Sequence, residues 1–499
     1  MSIETDSQLA ADSLLPPTHL SLKHKLFDHF DRFQAPFSER RAILISGDLI
    51  IVLVAITGAF GLWQLAAERA SGQTSDLANL VQGSWYWLPI LLGGWYLLAY
   101  LNDLYDIPSS TYRLVTAVRL SLTGLLFLVL YLAVFFFLPE ELPRRFFLYF
   151  LLLAMPGIMA WRWFYAALFS ISPLQHRLMI VGHGKRAQAI AYSLAQIRNL
   201  NYRLVGYVLD QPCLPYARPW GLAELGTVPQ LTSLAKSHRV AEIVVANDDN
   251  LSPEVFQQLI ECQARGVRVS LMPELYEKLY HKVPIEHIDL YWALQVMQDR
   301  PVFNRIQLIL KRVLDVGLAM NGLLLVAPLL PLVALAIWID SPGPIFYRQV
   351  RAGRAGQPFK IYKFRTMTPN AEKGGQAVWA QKNDARITRV GKFLRQTRLD
   401  ELPQLINILK GEMSFVGPRP ERPEFVEQLQ EQVPFYRTRL MVKPGLTGWA
   451  QTHYDYGNSV KDALIKLQYD FYYIRHWSLW LDIYTIFRTF AVVLRFKGM

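Results

Sequence analysis

The sequence predicts a multi-domain membrane protein with three parts: a bundle of four transmembrane helices, a parallel α/β cytoplasmic module, and a mixed α/β C-terminal domain entered through a broken apolar helix. Three observations carry this. Four apolar segments, near residues 42–66, 85–101, 114–138 and 146–170, each approach the ~20 residues that cross a bilayer. From about 175 to 300 short apolar strands alternate with mixed helices. Beyond 303 an apolar run over 313–339 holds Pro328 and Pro331 and opens onto a polar, arginine-rich region. The implied boundaries are 1–41, 42–170, 171–301 and 302–499.

Composition agrees. The chain has 52% hydrophobic residues, 13 Trp and 27 Phe, which suits partial solvation by lipid. A net charge of +12 fits an anionic surface or anionic substrates. No zinc-finger or RNA-binding signature is present, so nucleic acid is not an expected partner. Cys213 and Cys262 are isolated, which excludes a disulfide framework and a cysteine metal site. The N-terminus, with Glu4 and Asp6, lacks a basic-then-apolar signal pattern and is expected to be retained.

Charge placement orients the first four helices. Lys23, Lys25, Arg40 and Arg41 precede the first, Arg113 and Arg119 flank the start of the third, and Arg177, Lys185 and Arg186 follow the fourth. The loop over 68–76 is poor in positive charge. The positive-inside rule therefore puts the N-terminus and everything after residue 171 in the cytoplasm. Trp85, Trp87, Trp95, Trp161 and Trp163 suit interfacial belts.

In the α/β region the expected strands are 177–181, 202–209, 242–245 and 267–271. After the first comes Gly182-His183-Gly184-Lys185-Arg186-Ala187, a G-x-G-x-x-A turn, and Asp210 ends the second. In a Rossmann-like fold Gly182 and Gly184 would admit a pyrophosphate and Asp210 would meet a ribose hydroxyl. The competing reading is a nucleotide-free regulatory or oligomerisation module. It is preferred because no redox or dehydratase constellation follows.

The segment 303–312 is basic and amphipathic, and the 27 apolar residues after it are long enough to span a membrane at ~1.5 Å each. However, Arg305, Lys311 and Arg312 precede the run and Arg348, Arg351 and Arg354 follow it, so both ends are assigned to the cytoplasm. A proline in mid-helix removes a hydrogen bond and bends the axis. The economical reading is a re-entrant helix, about 311–340, that breaks at Ala327-Pro328 and returns, with Pro328 as the membrane hinge and Asp315 and Asp340 at its interfacial ends. A fifth transmembrane helix with an incidental kink is the alternative.

Beyond it, Phe359-Lys360-Ile361-Tyr362-Lys363-Phe364-Arg365-Thr366-Met367 alternates apolar and cationic residues, as a strand with one charged face would. Such a run is usually a solvated face. Arg386, Arg389, Lys392, Arg395 and Arg398 then lead into Leu399-Asp400-Glu401-Leu402-Pro403-Gln404-Leu405. Leu399, Leu402, Leu405, Ile406 and Leu409 recur at helical spacing, and proline is tolerated only in a helix's first turn. A helix is expected to start near Glu401 with Asp400 as N-cap, where the dipole favours the ionised carboxylate, and Gly411 supplies the stop. Cations this dense beside two carboxylates call for phosphates on a ligand. Arg395, and Arg419 in the rigid Pro418–Pro420 turn, are the better fixed contacts.

These motifs resemble the large monotopic phosphoglycosyl transferases, the bacterial polyprenyl-phosphate hexose-1-phosphate transferases that initiate exopolysaccharide, capsule or O-antigen synthesis. The resemblance covers about 303–499. It rests on Lys311-Arg312, Tyr362-Lys363-Phe364-Arg365-Thr366-Met367, the Asp400-Glu401 motif, Lys410-Gly411-Glu412-Met413-Ser414, Val416-Gly417-Pro418-Arg419-Pro420 and Lys443-Pro444-Gly445-Leu446-Thr447-Gly448-Trp449-Ala450-Gln451. One departure is Ala327-Pro328, where the family often has Ser-Pro.

The resemblance implies that Asp400 attacks the β-phosphorus of a UDP-sugar, releases UMP and passes the sugar phosphate to undecaprenyl phosphate. Glu401 would position the metal or the nucleophile. Mg²⁺ would be held by Asp400, Glu401 and Asp470, with Lys363, Arg365, Arg395 and Arg419 on phosphates. It also implies a multi-pass protein of the bacterial inner membrane, with the catalytic domain on the cytoplasmic face. The segment 464–496, rich in aromatics and Arg, suits amphipathic helices on an anionic bilayer. A homodimer is an admissible assembly, and sugar choice is expected to lie in 368–385 or 453–457. The competing functions are an NAD-dependent nucleotide-sugar-modifying enzyme centred on Gly182 and Gly184, and a non-catalytic polysaccharide-assembly scaffold.

Overall fold

The computed structural model describes residues 37–71, 87–105, 113–137, 144–169, 176–196, 202–210, 221–246, 251–288, 305–369, 386–454, 457 and 459–494. The chain divides into two compact units, Met1–Ser270 and Leu271–Met499.

The first unit opens with helices α1 (Phe37–Ser71), α2 (Trp87–Leu101), α3 (Arg113–Phe137) and α4 (Arg144–Phe169). Leu44 and Ile56 of α1, Trp95 of α2, Leu120 and Phe127 of α3 and Phe146, Phe150 and Tyr165 of α4 form one buried core. Ile50, Val54, Leu114, Val118 and Leu152 point outward and are exposed, the inside-out pattern of a bundle solvated by lipid. Three of these helices are long and apolar enough to cross a membrane, over Arg40–Ala66, Arg113–Leu132 and Phe146–Leu168. The second expected span, 85–101, is described over α2 as a shorter apolar helix of 15 residues, and the residues immediately before it lie outside the described ones. A further long apolar helix is Ile306–Asp340. Trp95 is corrected, from interfacial belt to core, since its ring is fully buried edge-on against Phe127 and Phe150. A buried ion pair between Asp48 of α1 and Arg162 of α4 ties the bundle together.

The α/β part holds β1 (His176–Val181), α5 (Gly184–Gln196), β2 (Tyr202–Leu209), β3 (Glu224–Thr227), α6 (Leu231–Ser237), β4 (Glu242–Val245), α7 (Pro253–Ala264) and β5 (Arg268–Leu271). The sheet order is β3-β2-β1-β4-β5, and β1 pairs in parallel with both β2 and β4. The chain reverses its winding between β1 and β4, so the carboxyl ends of those strands form a switch point. The four expected strands are all present. Edge strand β3 was not legible, because Glu224-Leu225-Gly226-Thr227 is four residues long and never fully buried. Cys262 is buried and free, and Cys213 lies outside the described residues.

The second unit begins with α8 (Met272–Tyr280), after which Val283 and Ile285 pack on Phe425, Leu429, Tyr436 and Phe471. Next comes the broken apolar helix: α9 (Arg305–Val326), a 3₁₀ turn at Ala327–Leu329 and α10 (Leu330–Asp340). The break falls at Ala327-Pro328, as expected. Leu324, Leu325 and Leu332 around it are 65 to 75% exposed. Both arms pack on one mixed scaffold, built from the antiparallel hairpin β6 (Phe346–Ala352) and β7 (Pro358–Phe364), α11 (Arg389–Gln396) and α12 (Leu405–Lys410). Ala319 and Leu323 of α9 lie against Phe359, Ile361, Leu405 and Ile408, while Ile337 of α10 lies against Phe364 and Leu394. The scaffold is completed by β8 (Ser414–Val416), α13 (Pro423–Gln432), β9 (Gly445–Thr447), α14 (Trp449–His453), α15 (Val460–Arg475) and α16 (Leu479–Leu494). Of the C-terminal aromatics, Phe471, Tyr473, Trp477 and Tyr484 are core, while Trp480 is half exposed.

Polar groups staple the broken helix at both ends. Lys311 pairs with Asp482 of α16 at 2.6 Å. Arg312 donates to the Ile408 and Leu409 carbonyls (2.6 and 2.7 Å), closing the C-terminus of α12. Asp315 accepts from Ser414 Oγ and the Phe415 amide (3.0 and 2.9 Å), and Asp340 accepts from the Val390 amide at 2.9 Å, at the start of α11.

Candidate active site

Between α11 and α12 the chain makes a 3₁₀ turn, Leu399–Gln404, that carries Asp400 and Glu401. The expected start at Glu401 with Asp400 as N-cap is corrected here. The N-cap is Arg398, in the left-handed region at φ 57°, so Asp400 sits inside the turn. Pro403 lies inside this turn and contributes no N–H to it, and regular helix resumes only at Leu405. Gly411 ends that helix at φ 83°, as anticipated.

Strand β7 is tied to α12 by Asn407, which is fully buried. Its Oδ1 accepts from the Tyr362 amide (3.1 Å), and its Nδ2 donates to the Lys360 carbonyl and Glu412 (both 2.7 Å). That register brings Lys363 Nζ to 2.7 Å from Glu401 Oε1. The cations of this strand do not share one face as expected. Ile361 faces the core, Lys360 is exposed on the opposite face, and Lys363 alone reaches the carboxylates.

Arg419 reaches the same Glu401 oxygen at 2.9 Å. Its turn is held by three carbonyl contacts: Pro418 accepts from the Gly445 amide (2.9 Å), Arg419 from Arg439 (3.0 Å) and Pro420 from Arg351 (3.1 Å). At Gly417 any β-carbon would lie 2.4 Å from the Lys443 carbonyl oxygen, so this close approach admits only glycine. Arg395 Nε donates to Thr366 Oγ1 at 2.8 Å, which sets the α11 side of the site.

The two carboxylates are shifted in opposite directions. Burial alone would raise Glu401, but the charges of Arg419, Lys363 and Arg398 outweigh it and hold this group well below the usual carboxylate range. Burial, then the neighbouring Glu401 charge, push Asp400 up to about 6 despite Lys363, Arg395 and Arg419. Asp400 thus lacks the N-cap position that would lower it through the helix dipole, and with a value of about 6 it remains largely ionised at neutral pH. Among the described residues, the Asp400 carboxylate receives no hydrogen bond. A buried, donor-free carboxylate facing cations is suited to bond to phosphorus or to a hard cation.

Two other expected site residues are placed elsewhere. Arg365 donates to the Ser341 carbonyl beneath the turn after α10, with its remaining nitrogens buried, so it fixes the exit of the broken helix rather than the carboxylate cluster. Asp470 is fully buried on α15 and pairs with Arg439 at 3.0 Å, and burial pushes it up to about 6. Among the described residues no three His, Cys, Asp or Glu side chains come together as a metal site. Asp470 therefore does not join Asp400 and Glu401. Its partner Arg439, which also donates to the Arg419 carbonyl and lies 3.7 Å from Glu421, was missed by sequence reasoning. So was Gln451, whose Oε1 accepts from both Arg398 (3.3 Å) and Arg419 (3.2 Å). The only signal for Gln451 was its place at the end of the Gly448-Trp449-Ala450-Gln451 motif. Of the two segments expected to choose the sugar, 370–385 of the first and 455 and 456 of the second lie outside the described residues.

In the α/β part, Gly182 and Gly184 take positive φ (123° and 84°), as the turn requires. Asp210 accepts or shares a proton with His183 at 2.9 Å, so the carboxylate expected to meet a ribose already has a partner.

The bacterial sugar transferase family model matches residues 306–496, and a CoA-binding domain model matches 100–273. The UDP-glucose:undecaprenyl-phosphate glucose-1-phosphate transferase of Escherichia coli K12 is 35% identical over 328 residues, 62% of this chain and 68% of the relative. The chain belongs to the bacterial sugar transferase family. Another family member, the UDP-N-acetylgalactosamine-undecaprenyl-phosphate N-acetylgalactosaminephosphotransferase of Aeromonas hydrophila, is 40% identical over 255 residues, 51% of this chain and 59% of that protein. A glucose-1-phosphate transferase from Caulobacter vibrioides is 46% identical over 181 residues, 36% of this chain and 67% of that protein. The match thus covers under two thirds of the Aeromonas family member's length. Membership and the apolar helices together make this sugar transferase a membrane-associated protein.

Proposed function

We propose that this protein transfers a hexose 1-phosphate from a UDP-sugar to undecaprenyl phosphate. The observation that carries it is the pairing of a buried Asp400, which receives no hydrogen bond among the described residues, with a Glu401 whose charge is locked by Lys363 and Arg419. Asp400 in its ionised form attacks the β-phosphorus. The bond from that phosphorus to the bridging oxygen breaks, and UMP leaves with the bridging oxygen and its electron pair. An oxygen of undecaprenyl phosphate then attacks the same phosphorus, the aspartyl–phosphorus bond breaks, and Asp400 is regenerated. A carboxylate is a weak nucleophile, so the rate comes from positioning and from cations that neutralise phosphate charge. Lys363, Arg395 and Arg419 supply them.

The donor set fits Mg²⁺, which takes one or two protein carboxylates beside substrate phosphates. Asp400, which receives no hydrogen bond among the described residues, and the second oxygen of Glu401 would hold it, and Asp470 would not. Bound there, the ion would neutralise charge on the diphosphate.

The broken helix is read as re-entrant. Its two ends bind one compact unit through Asp315 and Asp340, and a spanning helix would have to divide that unit across the bilayer. This reading, with the positive-inside charges, puts a multi-pass protein's active site on the cytoplasmic face of the bacterial inner membrane. The α/β part is read as a Rossmann-like module without bound nucleotide that serves regulation or pairing of two copies. The relatives' names cite glucose and N-acetylgalactosamine, so the donor class proposed is a UDP-hexose. The test is a panel of radiolabelled UDP-sugars with undecaprenyl phosphate and Mg²⁺, scored for UMP and lipid product. At least one sugar is expected to give both, and failure of all with folded protein would overturn the proposal.

A further inference from the structure

We infer that residues 272–288 are a positioning brace for the transferase site, acting through the indole of Trp449 on the short helix α14. This rests on the transferase reading above. The segment precedes 306–496, the stretch shared with the family, yet it belongs to the compact second unit. Three observations carry the inference.

First, the segment is tied into that unit at several points. Glu277 of α8 takes Arg475 and His476 at the end of α15, the latter at 2.8 Å. The Val283 amide donates to the Gln468 carbonyl at 3.0 Å, and Val283 and Ile285 are buried. Lys282 Nζ lies 5.7 to 5.8 Å from the centroids of Tyr276, Tyr280 and Tyr469, three rings around one ammonium. Second, the brace reaches α14 through a backbone carbonyl. His281 ends α8 at φ 52° and ψ 36°, a left-handed conformation disfavoured for a residue with a β-carbon. Its carbonyl accepts from Trp449 Nε1 at 2.9 Å. The buried indole also stacks on Tyr472 at 5.6 Å and meets the His281 ring edge-on at 6.4 Å.

Third, α14 has five residues, too few to hold an orientation by itself. Side chains two apart on a helix point to nearly opposite sides. Trp449 is fixed on one side by the brace, and on the other Gln451 Oε1 accepts from Arg398 and Arg419 at 3.3 and 3.2 Å. The start of α14 cannot slide, because a β-carbon at Gly448 would lie 2.3 Å from the Gly417 carbonyl oxygen, so the two backbones touch. What remains is rotation about the helix axis, and the bond from the indole to His281 sets it. Turning α14 moves Gln451 and releases the two guanidiniums beside the Asp400–Glu401 turn. Glu277, His281 and Trp449 are therefore positioning residues.

The experiment uses the full chain in lipid nanodiscs with the UDP-sugar that wild type accepts, and reads UMP release together with hydrogen exchange over 448–454. Trp449→Phe keeps an aromatic ring and removes the N–H. It is expected to lower kcat/KM for UMP release about tenfold and to speed exchange over 448–454. Glu277→Ala should act in the same direction by about threefold, and Glu277→Gln, which keeps a hydrogen-bonding side chain, should recover part of that loss. The deciding comparison joins Trp449→Phe to Gln451→Met. Action through Gln451 makes the double variant no worse than the poorer single one. Losses that multiply, or that vanish when the assay is cooled well below each variant's melting temperature, mark a purely structural role and overturn the inference. Values for Trp449→Phe and Glu277→Ala that both stay within twofold of wild type overturn it as well. A wild-type chain that releases no UMP from any sugar sinks the transferase reading instead. Exchange over 448–454 then decides whether the brace holds α14, and exchange unaltered by Trp449→Phe shows that it does not.

Discussion

Two regions of this molecule present cations and an acid at the end of a strand or turn, and they differ in what the acid is doing. At the switch point of the α/β sheet, Asp210 is paired with His183. In the C-terminal unit, Glu401 takes both Lys363 and Arg419, and the adjacent Asp400 is buried and, among the described residues, without a donor. Both regions carry a recognisable phosphate motif in sequence. The difference teaches that in an acidic pair one member can absorb the fixed cations and leave the other with a raised pKa and no paired cation at hydrogen-bond distance.

The sharpest way to break this contrast is Asp400→Asn. It is expected to lower UMP release by about three orders of magnitude or more, with the melting temperature unchanged or raised. Retention of full transfer would remove the nucleophile from the scheme.

Next in size is the buried Asp470–Arg439 pair. Asp470→Asn leaves Arg439 without its closest charge and is expected to cost about 3 kcal/mol or more in stability by denaturant unfolding. The Mg²⁺ concentration for half-maximal activity should stay within twofold, whereas a large rise would restore Asp470 as a metal ligand.

The raised Asp400 makes a pH prediction of similar scale. UMP release should climb with pH with its midpoint near 6, because in the proposed mechanism only the ionised carboxylate attacks. Its folded value lies above the ordinary 3.8, so the folded state binds more protons than the unfolded chain between the two values. The stabilisation from this group is complete below pH 3.8 and is lost as pH rises through about 6, a span of about 3 kcal/mol. Asp400→Asn should flatten that part of the pH dependence of the melting temperature, and an unaltered slope would contradict the assignment.

The smallest effect is expected on the other side of the comparison. Asp210→Asn should leave transfer within twofold and cost about 1 to 3 kcal/mol in the α/β part, read by hydrogen exchange. A tenfold loss of transfer would make the Gly182–Gly184 turn functional after all.

Much was legible from spacing. The parallel strands, the break at Pro328, the stop at Gly411 and the proximity of Asp400, Glu401, Lys363 and Arg419 all follow from local pattern or ordered motifs. What failed did so for identifiable reasons. The N-cap assignment of Asp400 assumed an α-helical start, but Pro403 and the left-handed Arg398 favour a 3₁₀ turn. Arg365 lies two residues from Lys363, yet β7 ends at Phe364, so alternation no longer governs where Arg365 points. Arg439 and Gln451 lie 20 and 32 residues beyond Arg419, and no short-range periodicity links them to it.

The sequence by itself determined which segments seek lipid, which form strands, where the apolar helix must break, and which acids and arginines are candidates. Those are properties of hydropathy, proline geometry and side-chain chemistry, all local. Only the tertiary structure decided which acid is ion-paired and lowered and which is buried and raised. Ionisation depends on burial and on the few ångströms separating Glu401 from Lys363 and Arg419, distances set by the packing of β7, the 3₁₀ turn and the Pro418–Pro420 turn.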